Sequence, residues 1–178
     1  SLTERAGCLA LHGTSQTLDD DDPPIFVGRR QEHFGCTASA LMEFEPTEEG
    51  EEAGLTALMN EKHHYEVAVR RDGGQRVILA RKRIGDLSMV VARELLEPGP
   101  VVLRISAEAT RYRLGYSRAG EPFRDLAEGL TKYLSSEVAG GFTGVYLGLY
   151  ASGSGKPSRA TAYADWFDYQ VAESQYWS

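Results

Sequence analysis

Gly153-Ser154-Gly155-Lys156 carries the glycines and the lysine of a phosphate-cradling loop. Such a loop also needs a glycine at its head and a hydroxyl after the lysine to hold magnesium. Tyr150 and Pro157 stand at those places, so the segment reads as a mobile glycine turn. His63 and His64 are adjacent, and on a strand they point to opposite faces, where they do not chelate one metal. His33 has no partner at ligand spacing, and there is no H-E-x-x-H or paired C-x-x-C. Residues 19–22 are consecutive aspartates, but they lack the glycine and the distant carboxylate of a calcium loop. They read as a solvated acidic loop. Glycoside cleavage would need two carboxylates about 5 to 10 Å apart across a groove. Glu43 and Glu45 alternate, but Pro46 follows, and the Glu48-Glu49 and Glu51-Glu52 cluster reads as solvated. Asp165 and Asp168 have the wrong parity for one strand face. No serine sits in a G-x-S-x-G elbow. The expectation is a chain without catalysis of its own and without a cofactor. A structural calcium finds no support in these residues.

Three other segments have the character of binding or anchoring sites. Phe26-Val27-Gly28-Arg29-Arg30-Gln31-Glu32-His33-Phe34 packs cations, an amide and an imidazole between aromatics. The arginine fork suits carboxylates and carbonyls, in a ligand or in a structural corner. Glu52-Ala53-Gly54-Leu55 places a glycine at a strand entry, where close backbone packing is expected. Gly140-Gly141-Phe142-Thr143-Gly144 sets one phenylalanine among glycines. That pattern suits either a projecting ring or a core ring at a tight turn.

The elements that must position these residues follow period two. Val101, Leu103, Ile105, Ala107 and Ala109 alternate with Val102, Arg104, Ser106 and Glu108, Tyr112, Leu114 and Tyr116 with Arg111, Arg113 and Gly115, and Tyr65, Val67 and Val69 with His64, Glu66, Ala68 and Arg70. Further strands are expected near residues 8–12, 25–29, 37–44, 55–60, 76–82, 87–95, 145–151 and 161–171. Asp72-Gly73-Gly74 reads as a tight hairpin. Residues 123–134 score as helix through Leu126, Leu130 and Leu134, and equally as strand or loop. The regular spacing of strands and turns is that of an all-β sandwich or barrel. The strands at 145–151 and 163–169 are apolar on both faces, so a loop, a further domain or a ligand must cover the second face. In the latter strand Tyr163, Asp165, Phe167 and Tyr169 are expected on one face, opposite Ala164, Trp166 and Asp168.

Composition sets the bounds. With 178 residues, 42% of them hydrophobic, the chain is expected to form a single domain over 1–178. The 19 basic and 26 acidic side chains give a net charge of −7, which argues against sequence-independent nucleic-acid binding. No run approaches 18 apolar residues, so no transmembrane helix is expected. Cys8 and Cys36 are expected as buried, reduced thiols. The chain begins Ser1-Leu2-Thr3, without a methionine or a signal-peptide core. The expectations are a piece cut from a longer enzyme and a cytoplasmic location.

Taken in order, the segments resemble a known family. Pro24-x-Phe26-x-Gly28-Arg29-Arg30-Gln31-x-x-Phe34 is followed by Glu52-Ala53-Gly54-Leu55, His64-Tyr65, residues 112–116 and Gly120. Gly140-Gly141-Phe142-Thr143-Gly144, Gly148-Leu149-Tyr150 and Ala164-x-x-Phe167-x-Tyr169 complete the set. The pattern is similar to the C-terminal β-sandwich domain of family 43 glycoside hydrolases, the β-xylosidases and α-L-arabinofuranosidases. The G-R-R-Q and G-G-F-T-G pieces are its specific parts.

The resemblance implies a concanavalin A-like jelly roll of two antiparallel sheets. It implies that the catalytic acids lie on a separate N-terminal five-bladed propeller, against which this sandwich packs. It implies that a sandwich loop helps close the substrate pocket with an aromatic ring, here Phe142. Arg29, Arg30, Gln31, His33 and Phe34 would anchor loops at or behind the domain interface. The expected partners are that propeller and a xylo-oligosaccharide or arabinoside, with the parent a homo-oligomer. The alternative is a freestanding carbohydrate-binding module for xylan or related glycans, with Tyr146, Tyr150 and Trp166 as sugar platforms.

Overall fold

The computed structural model describes residues 7–33, 35–135 and 144–171. Its strands are β1 (Leu9–His12), β2 (Ile25–Arg30), β3 (Cys36–Glu43), β4 (Glu52–Asn60), β5 (His63–Asp72) and β6 (Gln75–Ile84). They continue as β7 (Leu87–Leu95), β8 (Val101–Ala107), β9 (Arg111–Arg118), β10 (Arg124–Leu130), β11 (Tyr146–Ser152) and β12 (Thr161–Val171). One six-stranded sheet runs β1-β12-β3-β8-β9-β10, and the other β2-β11-β4-β5-β6-β7. All pairings between these strands are antiparallel. The expected all-β sandwich is the observed one.

Period-two patterning produces this arrangement directly. Ala38, Ala40 and Met42 of β3 and Leu103 and Ile105 of β8 point inward from the first sheet. Ala53, Leu55 and Ala57 of β4, Val67 and Val69 of β5, and Leu147 and Leu149 of β11 point inward from the second. Small alanines on facing strands leave room for Tyr65 and Tyr112, whose rings meet edge-on at 5.9 Å. The β5–β6 hairpin turns through Gly73 and Gly74, both at positive φ, as a two-residue hairpin turn requires.

One open alternative is decided and one expectation needs correction. The 123–134 stretch is strand β10 followed by a 3-10 turn, Thr131–Leu134, rather than a helix. Pairing with β9 overrides its leucine spacing. In β12 the pairing with β3 slips between Ala164 and Trp166, leaving Asp165 as an extra residue. This bulge reverses the parity of everything after it. Ala162, Ala164, Phe167 and Tyr169 therefore share the core side, and Trp166 is exposed.

The second face of β11 is covered by the chain itself at Gly148 and Tyr150, while Tyr146 stays exposed. Leu18, on the 13–24 segment between β1 and β2, packs with Ala68, Val77, Leu79 and Tyr150. Phe26 lies over the two facing glycines, Gly28 and Gly148. A Cβ on Gly28 or Gly148 would lie 2.7 or 2.6 Å from its ring. Those two glycines face each other across the β2–β11 ladder.

The two sheets are stitched at one place by Tyr65. Its hydroxyl donates to the Leu130 carbonyl at 2.7 Å, and its ring fills the space where a Gly129 side chain would stand, 2.5 Å from the Cβ position. Gly129→Ala is expected to destabilise the fold by about 1 to 3 kcal/mol through overpacking. Urea denaturation of the two proteins checks this, with the midpoint shifting down and the slope unchanged.

Candidate functional site

Two places in the structure concentrate chemistry-bearing side chains. The first is the crossing from one sheet to the other at one end of the sandwich. The registers Arg30–Tyr146–Leu58–His64–Arg83–Ser88 form a row across all six strands of the second sheet. The chain leaves that row after Arg30 and enters the first sheet at Cys36.

Residues 29–33 make this crossing rigid. Gln31 receives the Tyr112 hydroxyl at 2.7 Å and donates from its amide to the His33 carbonyl at 2.8 Å. The Gln31 backbone N–H donates to Val145 at 2.7 Å, just before β11. Tyr169 gathers the rest. Arg29 lies 4.0 Å over its ring, and its hydroxyl accepts the Glu32 N–H and meets His33 Nδ1, both at 3.2 Å. Arg30 lies against Gly144, where a Cβ would come within 2.4 Å of Nε. The structure thus brings Arg29, Arg30, Gln31 and His33 together at the root of the 136–143 segment. Phe34 and Phe142 lie outside the described residues.

The second place is a line of charges on the outer face of the second sheet. Glu66 of β5 stands directly opposite Arg81 of β6, and Glu52 of β4 opposite Arg70 of β5. Arg81 grips both carboxylates, reaching Glu52 at 2.7 and 3.0 Å and Glu66 at 3.0 Å. Arg70 adds a bond to Glu52 at 3.0 Å. Tyr150 donates its hydroxyl to Glu52 at 2.5 Å. Burial would raise the Glu52 carboxyl, but Arg81 and Arg70 outweigh it and hold the group well below the usual carboxylate range.

His64 continues the line. Its Nδ1 meets Glu66 at 2.7 Å and its Nε2 meets Asp19 of the 13–24 segment at 3.0 Å. Both ring nitrogens face carboxylate oxygens, which calls for a donor at each and hence an imidazolium. Burial disfavours that charge, yet the Glu66 and Asp19 carboxylates prevail and raise the imidazole to about 9. Arg83 supports Asp19 from 3.4 Å. The expected solvated loop at 19–22 is therefore anchored through Asp19.

The Glu51-Glu52 pair is also not solvated, because both side chains are buried. Glu51 accepts the N–H groups of Thr47, Glu48, Arg159 and Ala160 at 2.6 to 3.0 Å. Burial alone would raise its carboxyl, but these donors and the Ser158 hydroxyl bring it down to about 2.

The glycine loop after β11 serves the same covering segment. Gly153, Gly155 and Ser158 donate backbone N–H groups to Thr14, Ser15 and Gly13, and the Ser152 hydroxyl donates to Gln16. Those amides hold the 13–24 segment instead of cradling a phosphate.

The expected sugar platforms do not assemble. Tyr150 is fully buried and bonded to Glu52, which removes it as a platform. Tyr146 and Trp166 are 41% and 42% exposed, but they stand on different sheets.

Comparison with known proteins places this geometry. A family model described as the beta xylosidase C-terminal concanavalin A-like domain matches residues 1–170. The non-reducing end alpha-L-arabinofuranosidase BoGH43B of Bacteroides ovatus is 42% identical over 174 residues, covering 97% of this chain and 33% of that protein. A putative beta-xylosidase of Escherichia coli K12 is 33% identical over 186 residues, with the same coverage, 97% and 33%. The solved structure of the Bacteroides ovatus xyloglucan PUL GH43B superposes with a TM-score of 0.91 at 40% identity, over 97% of this chain and 34% of that one. The chain spans about a third of the length of the curated relatives it matches.

The raised imidazole has a consequence for stability. The His64 contribution is complete below about 6.5 and is lost as pH rises through about 9. Chemical denaturation across that range is expected to show a loss of up to about 3 kcal/mol. His64→Gln should be less stable at neutral pH and should lack this slope.

Proposed function

The chain belongs to the family of β-xylosidase C-terminal concanavalin A-like domains of glycoside hydrolase family 43, and on that premise we propose that it packs on a catalytic propeller and helps close the substrate pocket. It does no catalysis of its own in this reading. The parent enzyme is a β-xylosidase or α-L-arabinofuranosidase acting on xylo-oligosaccharides or arabinosides.

The observation that carries the reading is the sheet crossing at residues 29–33. Arg30 lies against Gly144, and Gln31, itself held by Tyr112, bonds Val145; these two residues form one boundary of the 136–143 segment. A loop that must place one ring accurately needs such a fixed base. Phe142, set among glycines, supplies a face that stacks on a sugar without demanding hydrogen bonds. A pocket that removes one sugar from a chain end also needs a wall that excludes water.

Apolar surface left on the sandwich supports packing against a partner. Edge strand β7 exposes Leu87, Met89, Val90, Val91 and Leu95. An uncovered apolar edge of this kind is a liability in an isolated domain. Leu87 lies beside Ser88 on the row that contains Arg30, so the start of the apolar edge and the sheet crossing lie at the same end of the strands, on opposite edges of the sheet. The remaining two-thirds of a protein like its relatives is the partner to cover it.

In the intact parent enzyme, Phe142→Ala is expected to lower kcat/KM for a small xyloside about 5- to 30-fold, the loss of one stacking contact of about 1 to 2 kcal/mol. Unchanged kinetics would remove Phe142 from the pocket.

A further inference from the structure

The covering segment and the charged line on the outer face of the second sheet enclose a recess of about 210 Å³. Its walls include Thr17, Leu18, Asp19, Tyr150, Ser152 and Ser154, together with the paired Glu52, Glu66, His64, Arg70 and Arg81. We propose that this recess binds one small, neutral, polyhydroxylated molecule, of the size and chemistry of a single pentose.

Size sets the first limit. The recess has the volume of about seven waters at ~30 Å³ each. It is smaller than the roughly 300 to 1,000 Å³ of pockets for drug-sized ligands. A single sugar ring fits that range, and an oligosaccharide does not.

Charge sets the second limit. Asp19, Glu52 and Glu66 face His64, Arg70 and Arg81, and with His64 protonated these six lining groups cancel, with Arg83 behind Asp19 outside the lining. A balanced lining offers no net attraction to a phosphate or a metal ion. An apolar ligand would leave the carboxylate and guanidinium edges without water or a replacement partner.

Hydrogen-bonding capacity sets the third. Asp19 receives both His64 and Arg83 on Oδ1, so Oδ2 remains an acceptor. Among the described residues Arg70 makes its bonds to Glu52, Gly50 and Ser154 through Nη1, one arm of a five-donor fork. Ser154 reaches the site from a left-handed backbone conformation, φ 55°. A non-glycine residue held there is strained, and such strain collects at ligand sites. A hydroxyl both donates and accepts, so a polyol matches this mixed lining.

The test is a titration of D-xylose and of L-arabinose into the folded chain, followed by backbone amide NMR. Inorganic phosphate and calcium are titrated separately. The expected result is a saturable shift at Thr17, Leu18, Asp19 and Ser154 for at least one sugar, with a millimolar Kd. Thr17→Trp keeps every charge pair while filling the recess, and should weaken that binding at least tenfold. Glu52→Gln should weaken it as well if the variant folds. The proposal is overturned if neither sugar gives a saturable shift in the folded chain. It is also overturned if phosphate or calcium binds there more tightly than the sugars, or if Thr17→Trp binds as the parent does.

Discussion

The outer face of the second sheet depends on one buried contact, the grip of Arg81 on Glu52 and Glu66. Two carboxylates removed from water on neighbouring strands would repel each other and destabilise that face. One guanidinium between them satisfies both, at 2.7 to 3.0 Å. The arrangement is possible because register puts Glu66 opposite Arg81 and Glu52 opposite Arg70. Removing one partner of such a group leaves an uncompensated charge, at a typical cost of about 3 to 5 kcal/mol.

From this contact the covering segment follows. Glu66 holds His64 as a cation, His64 holds Asp19, and Asp19 brings Leu18 down onto Tyr150 and Leu79. The middle of the outer face of the second sheet, over Ala68, Leu79 and Tyr150, is thereby closed by the chain itself, with the small recess beneath the segment. An open groove for a glycan chain is absent among the described residues of that face. The surface open to a partner includes the end of the sandwich, where residues 29–33 cross between sheets, and the apolar edge of β7.

Most of the fold was legible because strand patterning is local. The expected strands at 87–95 and 161–171 are β7 and β12 to the residue, and the glycine hairpin after β5 is as expected. The family was legible for a different reason: its glycines and arginines mark close approaches and a sheet crossing that other residues would not make. The charged cluster was misread because charge in a sequence suggests solvent. Glu52 is 29 residues from Arg81 and 98 from Tyr150, and nothing local announces those partners. One signal was present. Ala68 and Leu79 lie on the same outer face as Glu66 and Arg81, and their apolar character already implied a cover. The parity of β12 was lost for want of any mark on Asp165 as a bulge.

The surface that meets the proposed catalytic domain is the point to be measured. Amide hydrogen exchange measured on this chain alone and within the intact parent compares the two states directly. Added protection is expected at residues 29–33, at 144–146 and along the start of β7, with the strands that carry Glu52, Glu66 and Arg81 unchanged. Protection confined to the outer face of the first sheet around Trp166, with the 29–33 crossing unaltered, would contradict it.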